Sequence, residues 1–524
     1  MIGALFKNFY QKITLHWLLI PIAFFTYLLW NTGLHGDDYA EIHRLKDFTL
    51  YDFYFASIED YGVFLFGLPI YFSLYWAFPF FGMDWLLAYD LIKITVHILS
   101  TYFIFIFFRD YLPRDRAILA AFLFILFPLH DATNYWYMAL SYILVPSILL
   151  LAHHFIRKKQ YFVGIWLSAL GCFAFYASLP LVFGLGCIFL LQRKYKEFLI
   201  YVAPGIAYTI YYLFIKMTVD GLEVKIDNNL SLSGYLQDLF LQFLTMMEAS
   251  IGPSAVIKVF YSIGSLSLLS LSVLIVTLFF LSYHLRIHQF SHAQNINPTL
   301  LFGLGLVVLL SIMVYAMTGA YWHTPFNLSN RSLIYASLFL SYLIASCIRT
   351  NRSFLLLSAA IFLSANLGIS DHWKSWNIEQ KIVLERINNN PVIQSSPNAT
   401  FFISGNLYSH MGPYSYIEFF SMPWNTRAIF NEDIDTNFIA VTPYLKLEKN
   451  LAIDTKSKIH HPLNKVIYHY NSSSGVLSKI SIEDARQLVA EEKPIHRHWI
   501  QYFKGTIIEN IVVRVAPNLA YLFT

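Results

Sequence analysis

Two adjacent carboxylates, Asp37 and Asp38, stand in the segment GDDYAEI at 36–42, with Glu41 in the same run. Neighbouring carboxylates repel each other, and a pair placed where an apolar helix ends also faces the negative end of that helix's dipole. Local electrostatics oppose the arrangement, so something else must favour it. One reading is a solvated turn at Gly36. The other is a general base, or a carboxylate pair able to hold a divalent cation.

A second acidic site lies in FPLHDATNYWY at 127–137, which contains His130, Asp131, Asn134 and Trp136. Asp131 reads either as the cap of a following helix or, with His130, as a second group at the same site. Asp90, Lys93 and His97 follow i, i+3, i+7 spacing and share one face of an apolar helix. Ionisable groups in hydrocarbon face the protein interior or a wet cavity. Asp90 and Lys93 therefore form an internal ion pair, or their face lines a cavity with His97 near mid-membrane. A late segment, YWHTPFNLSNR at 321–331, carries His323, Asn330 and Arg331. A guanidinium fork suits a phosphate, whereas a bland Arg331 would snorkel to lipid headgroups. Tyr39, Trp136 and Trp322 offer rings for stacking on sugars, or belong to an interfacial aromatic belt.

The elements that must position these residues are membrane helices. Of 524 residues, 57% are hydrophobic and only 13% charged, against about 25% charged in an average soluble protein, and the mean hydropathy is +0.51. This excludes a soluble globular enzyme. The net charge of +4 is too small to indicate nucleic acid. Cys172, Cys187 and Cys347 all lie in apolar stretches, so neither a disulfide framework nor a CxxC metal site is suggested. Apolar runs predict eleven spans, at 13–34, 85–108, 117–129, 139–156, 161–177, 180–192, 198–217, 262–283, 299–319, 332–349 and 354–370. The first lacks a small-residue cleavage site and reads as a retained helix.

With a cytoplasmic N-terminus, Lys7, Lys12, Arg109, Arg114, Arg116, Arg157, Lys158, Lys159, Arg193, Lys194, Lys196, Arg286, Arg349 and Arg352 all fall inside, as the positive-inside rule requires. Counting 62–81 as a span would move Arg109–Arg116 outside. That segment, interrupted by Pro69 and Pro79, therefore reads as interfacial helix within an outer loop at 35–84. Asp37, Asp131 and Arg331 then share the outer face. After Ser370 the composition changes: DHWKSWNIEQKIVLERINNN reads as an amphipathic helix, and TFFISG at 400–405 and NFIAVTPYLKL at 437–447 read as strands. The predicted fold is an all-α polytopic membrane bundle over 1–370 with an extracytoplasmic mixed α/β domain over 371–524.

The order and sidedness of these motifs resemble the GT-C superfamily of lipid-carrier-dependent glycosyltransferases. The resemblance covers residues 1 to about 370 and rests on GDDYAEI at 36–42 after the first span, His97 in the second, Pro128, His130, Asp131 and Trp136 at the end of the third, and the late Arg331. It implies a bacterial plasma-membrane enzyme with its site on the periplasmic side, moving a sugar from a polyprenyl-phosphate donor to a glycan or lipid-linked acceptor. Asp37, with Asp38 and Asp131, would take the catalytic role. Arg331, His130, Trp136, His97, Glu41, His323 and Asn330 would bind substrate. No cofactor is required by this reading, although a divalent cation is compatible with it. The chain departs from many relatives in lacking an acid in FYASLP at 175–180, and it has no WWDYG stretch, which argues against an oligosaccharyltransferase acting on sequons.

Two other readings belong to different classes. A flippase for a lipid-linked intermediate would show paired repeats, and residues 1–200 and 200–370 do not correspond. A glycan polymerase or ligase would carry a basic catalytic loop late in the bundle, where this chain has one His and one Arg.

Overall fold

The structure is a computed structural model. It describes residues 16–45, 85–218, 231–287, 290–291, 296–318, 322–348, 351–430, 436–455, 457–492 and 498–515, together with 517, 520 and 523. The predicted interfacial segment at 62–81 lies outside the described residues. The described helices of the bundle are α1 (His16–Leu29), α2 (Asp38–Leu45), α3 (Leu86–Phe108), α4 (Arg114–Ile125), the one-turn α5 (Ala132–Tyr135), α6 (Ser141–Arg157), α7 (Tyr161–Ala174), α8 (Leu179–Leu191), α9 (Tyr195–Thr218), α10 (Leu232–Ile251), α11 (Pro253–Gly264), α12 (Leu268–Ile287), α13 (Pro298–Ala316), α14 (Ile334–Cys347) and α15 (Arg352–Asn388).

Among the described residues, seven helical segments are long and apolar enough to cross a bilayer: Leu86–Phe108, Tyr137–Arg157, Tyr195–Thr218, Leu232–Gly264, Leu268–Arg286, Pro298–Ala316 and Arg352–Asn388. The expected count of eleven is not confirmed among the described residues. Helices α4, α7, α8 and α14 have only 12, 14, 13 and 14 residues. At about 1.5 Å of rise per residue, 14 residues cover roughly 21 Å of a hydrocarbon core about 30 Å thick. The interval between the predicted spans at 198–217 and 262–283 holds the helix pair α10–α11, interrupted where Gly252 leaves helical geometry and Pro253 starts the next helix. Asp238, Glu248 and Lys258 lower the hydropathy of this interval and hide it from an apolar-run reading.

Away from the Asp37 end, Arg116 is fully buried. Its guanidinium donates to the carbonyls of Ala345 (2.6 Å), Ser346 (2.9 Å) and Ile348 (3.3 Å), where a cation meets the negative end of α14. Nearby, Asp110 bonds His154 at 2.9 Å and lies 3.5 Å from Lys158. The basic residues at this end are thus partly structural.

The C-terminal part is a mixed α/β domain, as the alternating runs predicted. After α16 (Pro391–Ser395) come β1 (Ala399–Ser404), the hairpin β2 (Tyr408–Met411) and β3 (Tyr414–Glu418), α17 (Pro423–Phe430), β4 (Asn437–Ala440), the meander β5 (Leu445–Glu448), β6 (Leu451–Asp454) and β7 (Ile459–Pro462), then β8 (Val466–Asn471), β9 (Val476–Lys479), α18 (Ile482–Ala490) and α19 (Ile507–Val515). The predicted strand at 437–447 is two strands, parted at Val441–Tyr444. The main sheet runs β4-β1-β8-β9, with β1 parallel to both neighbours and β9 antiparallel. Strand β1 is buried along its length, as a central parallel strand covered on both faces must be. On one face Phe401 stacks between Phe438 and Tyr468, with centroids at 4.9 and 5.1 Å. On the other, Phe402, Ile439 and Ile467 pack with Ala452 of the meander and Ala485 of α18.

Two features join this domain to the bundle. Helix α15 runs without a break across residue 370, so the last predicted span and the amphipathic segment after it are one helix of 37 residues. The β2–β3 hairpin also inserts into the bundle. Its turn residue Gly412 has φ +61° and lies so close to the Tyr261 ring of α11 that a Cβ would clash. Beside it Tyr414 stacks on Phe326 at 4.7 Å.

Candidate functional site

The chain leaves α1 at Trp30 and crosses to α2 through an irregular loop that an ion pair of α3 holds down. Lys93 bonds Asp90 Oδ1 at 2.8 Å. Its Nζ also donates to Thr32 Oγ1 (2.6 Å) and the Gly33 carbonyl (2.9 Å). Asp90 Oδ2 accepts the Asn31 N–H at 2.8 Å. Both charges are buried, so each needs its partner, and the pair uses its remaining bonding capacity to fix the loop. Of the two sequence readings for this face, the internal ion pair is the one observed. His97, one turn on, is buried as well; its Nδ1 and Nε2 meet the Lys93 carbonyl (2.6 Å) and Asn134 Oδ1 (3.0 Å). It ties α3 to the 130–136 segment.

Asp38 stands in the first turn of α2 rather than at the end of α1, so the nearest helix dipole favours its charge instead of opposing it. It is fully buried and accepts the N–H groups of His35 (2.9 Å) and Met138 (3.1 Å). Burial dominates these bonds and pushes the Asp38 carboxyl up to about 7. His35, against the edge of Trp373 at 4.7 Å, is pushed down to about 3 by burial and then by the Lys93 charge. With the Gln380 amide turned to donate to Nδ1 at 3.1 Å, Nε2 carries the proton to the Thr32 carbonyl at 2.5 Å.

Asp37, in contrast, is half-buried. Its Oδ1 accepts from the Trp424 indole N–H at 2.7 Å and from Asn425 Nδ2 at 3.4 Å, both on α17 of the C-terminal domain. Glu41 is half-buried on the next turn of α2. The preceding Gly36 has φ +54°, and a Cβ there would stand 2.6 Å from Leu328 and 3.6 Å from the Glu418 carboxylate. Only glycine combines that backbone with that crowding. Through Leu328 the acidic loop meets the segment that carries Arg331. The Arg331 guanidinium lies 4.9 Å from the Trp136 ring and 5.8 Å from the Tyr142 ring, and it donates to the Leu328 carbonyl (2.9 Å) and Tyr142 hydroxyl (3.3 Å). Its side chain is half-buried.

Asp131 is the centre of a closed network. Oδ1 accepts from Lys258 Nζ and from Asn330 Nδ2 (2.7 Å); Oδ2 accepts from the Trp373 indole (2.8 Å) and the Tyr416 hydroxyl. Asn330 Oδ1 accepts the Ala132 N–H at 3.0 Å, and Lys258 also bonds the Pro325 carbonyl. Four side-chain donors saturate the carboxylate, so it binds segments together. His130 is buried, pushed down to about 4 by burial, and bonded to Thr133 Oγ1 and the Phe124 carbonyl, both at 2.8 Å. His323 is buried against Tyr315, its ring nitrogens hydrogen-bonded to none of the described residues, and burial pushes it down to about 3.

The fold thus gathers Asp37, Asp38, Glu41, Arg331 and Trp136 at one end of the bundle. Asp131, Asn330, His130 and His97 are buried, with Asn330 bonded to Asp131 and His97 to Asn134. Lys258, Trp373, Tyr416, Glu418 and Trp424 were not singled out from the sequence. Lys258 alone left a signal, a single cation within the apolar face of α11. Among the described residues, no three His, Cys, Asp or Glu side chains cluster as a metal would require. Comparison of the chain with protein-family models, curated proteins and solved structures finds no match in any of the three.

Proposed function

We propose that this protein is a membrane glycosyltransferase that moves a sugar from a polyprenyl-phosphate carrier to a glycan or lipid-linked acceptor on the extracytoplasmic side of a bacterial plasma membrane. The observation that carries this reading is the contrast within the acidic pair: Asp38 is buried, whereas Asp37 is half-buried beside the segment that bears Arg331. Asp37 takes the proton of an acceptor hydroxyl as that oxygen attacks the anomeric carbon. The bond from this carbon to the phosphate oxygen breaks on the opposite face, and the phosphate leaves with the electron pair, so the configuration inverts. Phosphate is a stable anion and needs no strong general acid. Arg331 faces the charge that develops on it. A positioned carboxylate base contributes about 10²- to 10⁴-fold.

The test is a membrane assay with a panel of polyprenyl-phosphate sugars, scored by release of the carrier phosphate. Asp37→Asn loses transfer by that factor while still folding; wild-type turnover would remove Asp37 from the reaction. Arg331→Ala weakens the lipid donor more than the acceptor, and an unchanged donor KM would remove Arg331 from the site.

A further inference from the structure

The C-terminal domain meets the proposed site through one side chain whose exposure is unusual for its place. Helix α17 buries Pro423, Asn425, Thr426, Ile429 and Phe430, yet Trp424, the largest apolar residue on it, is 42% exposed. Its indole N–H is bonded to Asp37 Oδ1 at 2.7 Å. That bond holds the ring plane at the carboxylate. Among the described residues both donors to Asp37, Trp424 and Asn425, fall on Oδ1, and Oδ2 takes none.

We infer that Trp424 is the acceptor platform of the proposed transferase: its exposed ring stacks on a pyranose of the acceptor while its N–H orients Asp37 so that Oδ2 faces the hydroxyl to be glycosylated. The inference rests on the transferase reading for its link to catalysis, but not for the stacking itself. The apolar C–H face of a pyranose matches a large electron-rich ring. A hydroxyl within about 3 Å of Oδ2 leaves the sugar that bears it within reach of a ring anchored on the same carboxylate. Trp424 is a binding and positioning residue, and Asp37 remains the base.

The experiment uses the full chain in nanodiscs of phosphatidylethanolamine and phosphatidylglycerol, labelled with fluorotryptophan, with Trp424→Phe assigning the Trp424 fluorine resonance. Methyl glucopyranoside, galactopyranoside and mannopyranoside are titrated at millimolar concentration, and a headgroup spin-labelled lipid is added in a separate arm. A shift of the Trp424 resonance with at least one glycoside, without broadening by the lipid label, is the expected result. No shift with any glycoside overturns the platform, and strong broadening by the lipid label assigns Trp424 to the headgroup layer instead. In the transfer assay Trp424→Ala raises the acceptor KM about tenfold. Trp424→Phe keeps the ring and the KM but loses the N–H, so its kcat falls; equal KM values for Ala and Phe would also overturn the proposal. If wild type releases phosphate from no polyprenyl-phosphate sugar, the transferase reading fails, while the fluorine shift still decides whether Trp424 binds a sugar.

Discussion

Asp37 and Asp131 lie at the same end of the molecule, each in a loop that follows an apolar helix, and in sequence they look alike. Asp131 is buried and satisfied on both oxygens by Lys258, Asn330, Trp373 and Tyr416. Asp37 is half-buried, with two donors on one oxygen. A carboxylate whose lone pairs are all taken holds structure together, because any proton it gained would displace a donor into a buried, unpaired state. One with an oxygen to spare can do chemistry. The difference separates two roles that an acidic residue beside a membrane helix can play.

The comparison is sharpest where it is broken from the cation side. Lys258→Met leaves the Asp131 charge buried with one donor fewer and lowers stability by about 3–5 kcal/mol, read as the unfolding midpoint of the detergent-solubilised protein. Asp37→Asn, in the same measurement, changes it by under about 1 kcal/mol. Similar losses in the two variants would erase the distinction.

Asp38 supplies a pH signature next in size. Its folded-state value of about 7 lies above the ordinary 3.8, so its contribution is fully present below about pH 4 and is lost as pH rises through 7, by at most about 4 kcal/mol. Asp38→Asn carries no such loss. Its stability relative to wild type therefore rises between pH 5 and pH 8, and a flat difference would show that Asp38 is solvated. The buried histidines run the other way. His323, pushed down to about 3, stays neutral when folded, so stability is lost as pH falls below its ordinary 6.5; His323→Gln is less sensitive to acid over that window.

A smaller effect tests the union of the two domains. Tyr416→Phe removes one donor from Asp131 and costs roughly 1.5–3 kcal/mol. Because Tyr416 sits on the inserted hairpin, limited proteolysis of this variant should cut between 388 and 418 faster than in wild type. Unchanged cleavage would show that the remaining contacts of the hairpin, among them Tyr414 on Phe326 and Gly412 against Tyr261, hold it without the Tyr416 bond.

Much of this architecture was legible in the chain. Long apolar runs announced membrane helices because backbone polar groups in hydrocarbon must bond within their own segment, and strand β1 was readable as the short alternating run TFFISG, although the strand is in fact buried along its whole length. The i, i+3 spacing of Asp90 and Lys93 offered their ion pair as one of two readings, since a helix itself brings such residues together, and the structure decided between them. The predicted spans at 117–129, 161–177, 180–192 and 332–349 meet helices of only 12–14 residues, because hydropathy does not report where a helix stops. The helix pair α10–α11 was missed because its polar residues look unfit for a bilayer, yet Lys258 is fully buried against Asp131.

By itself the sequence determined the solvent of this protein, the mixed α/β character of its C-terminal part and the presence of an acidic pair after the first helix. These follow from composition and local periodicity, which act over a few turns of chain. Which carboxylate is saturated and which is open was decided only by tertiary structure. The donors to Asp131 come from positions 127, 199, 242 and 285 residues away, and the tryptophan that orients Asp37 from 387 away. No local pattern encodes such convergence. It arises because α11, α15 and the segment bearing Asn330 pack together within the bundle and the β2–β3 hairpin and α17 pack onto it, and packing alone brings those donors to their acceptors.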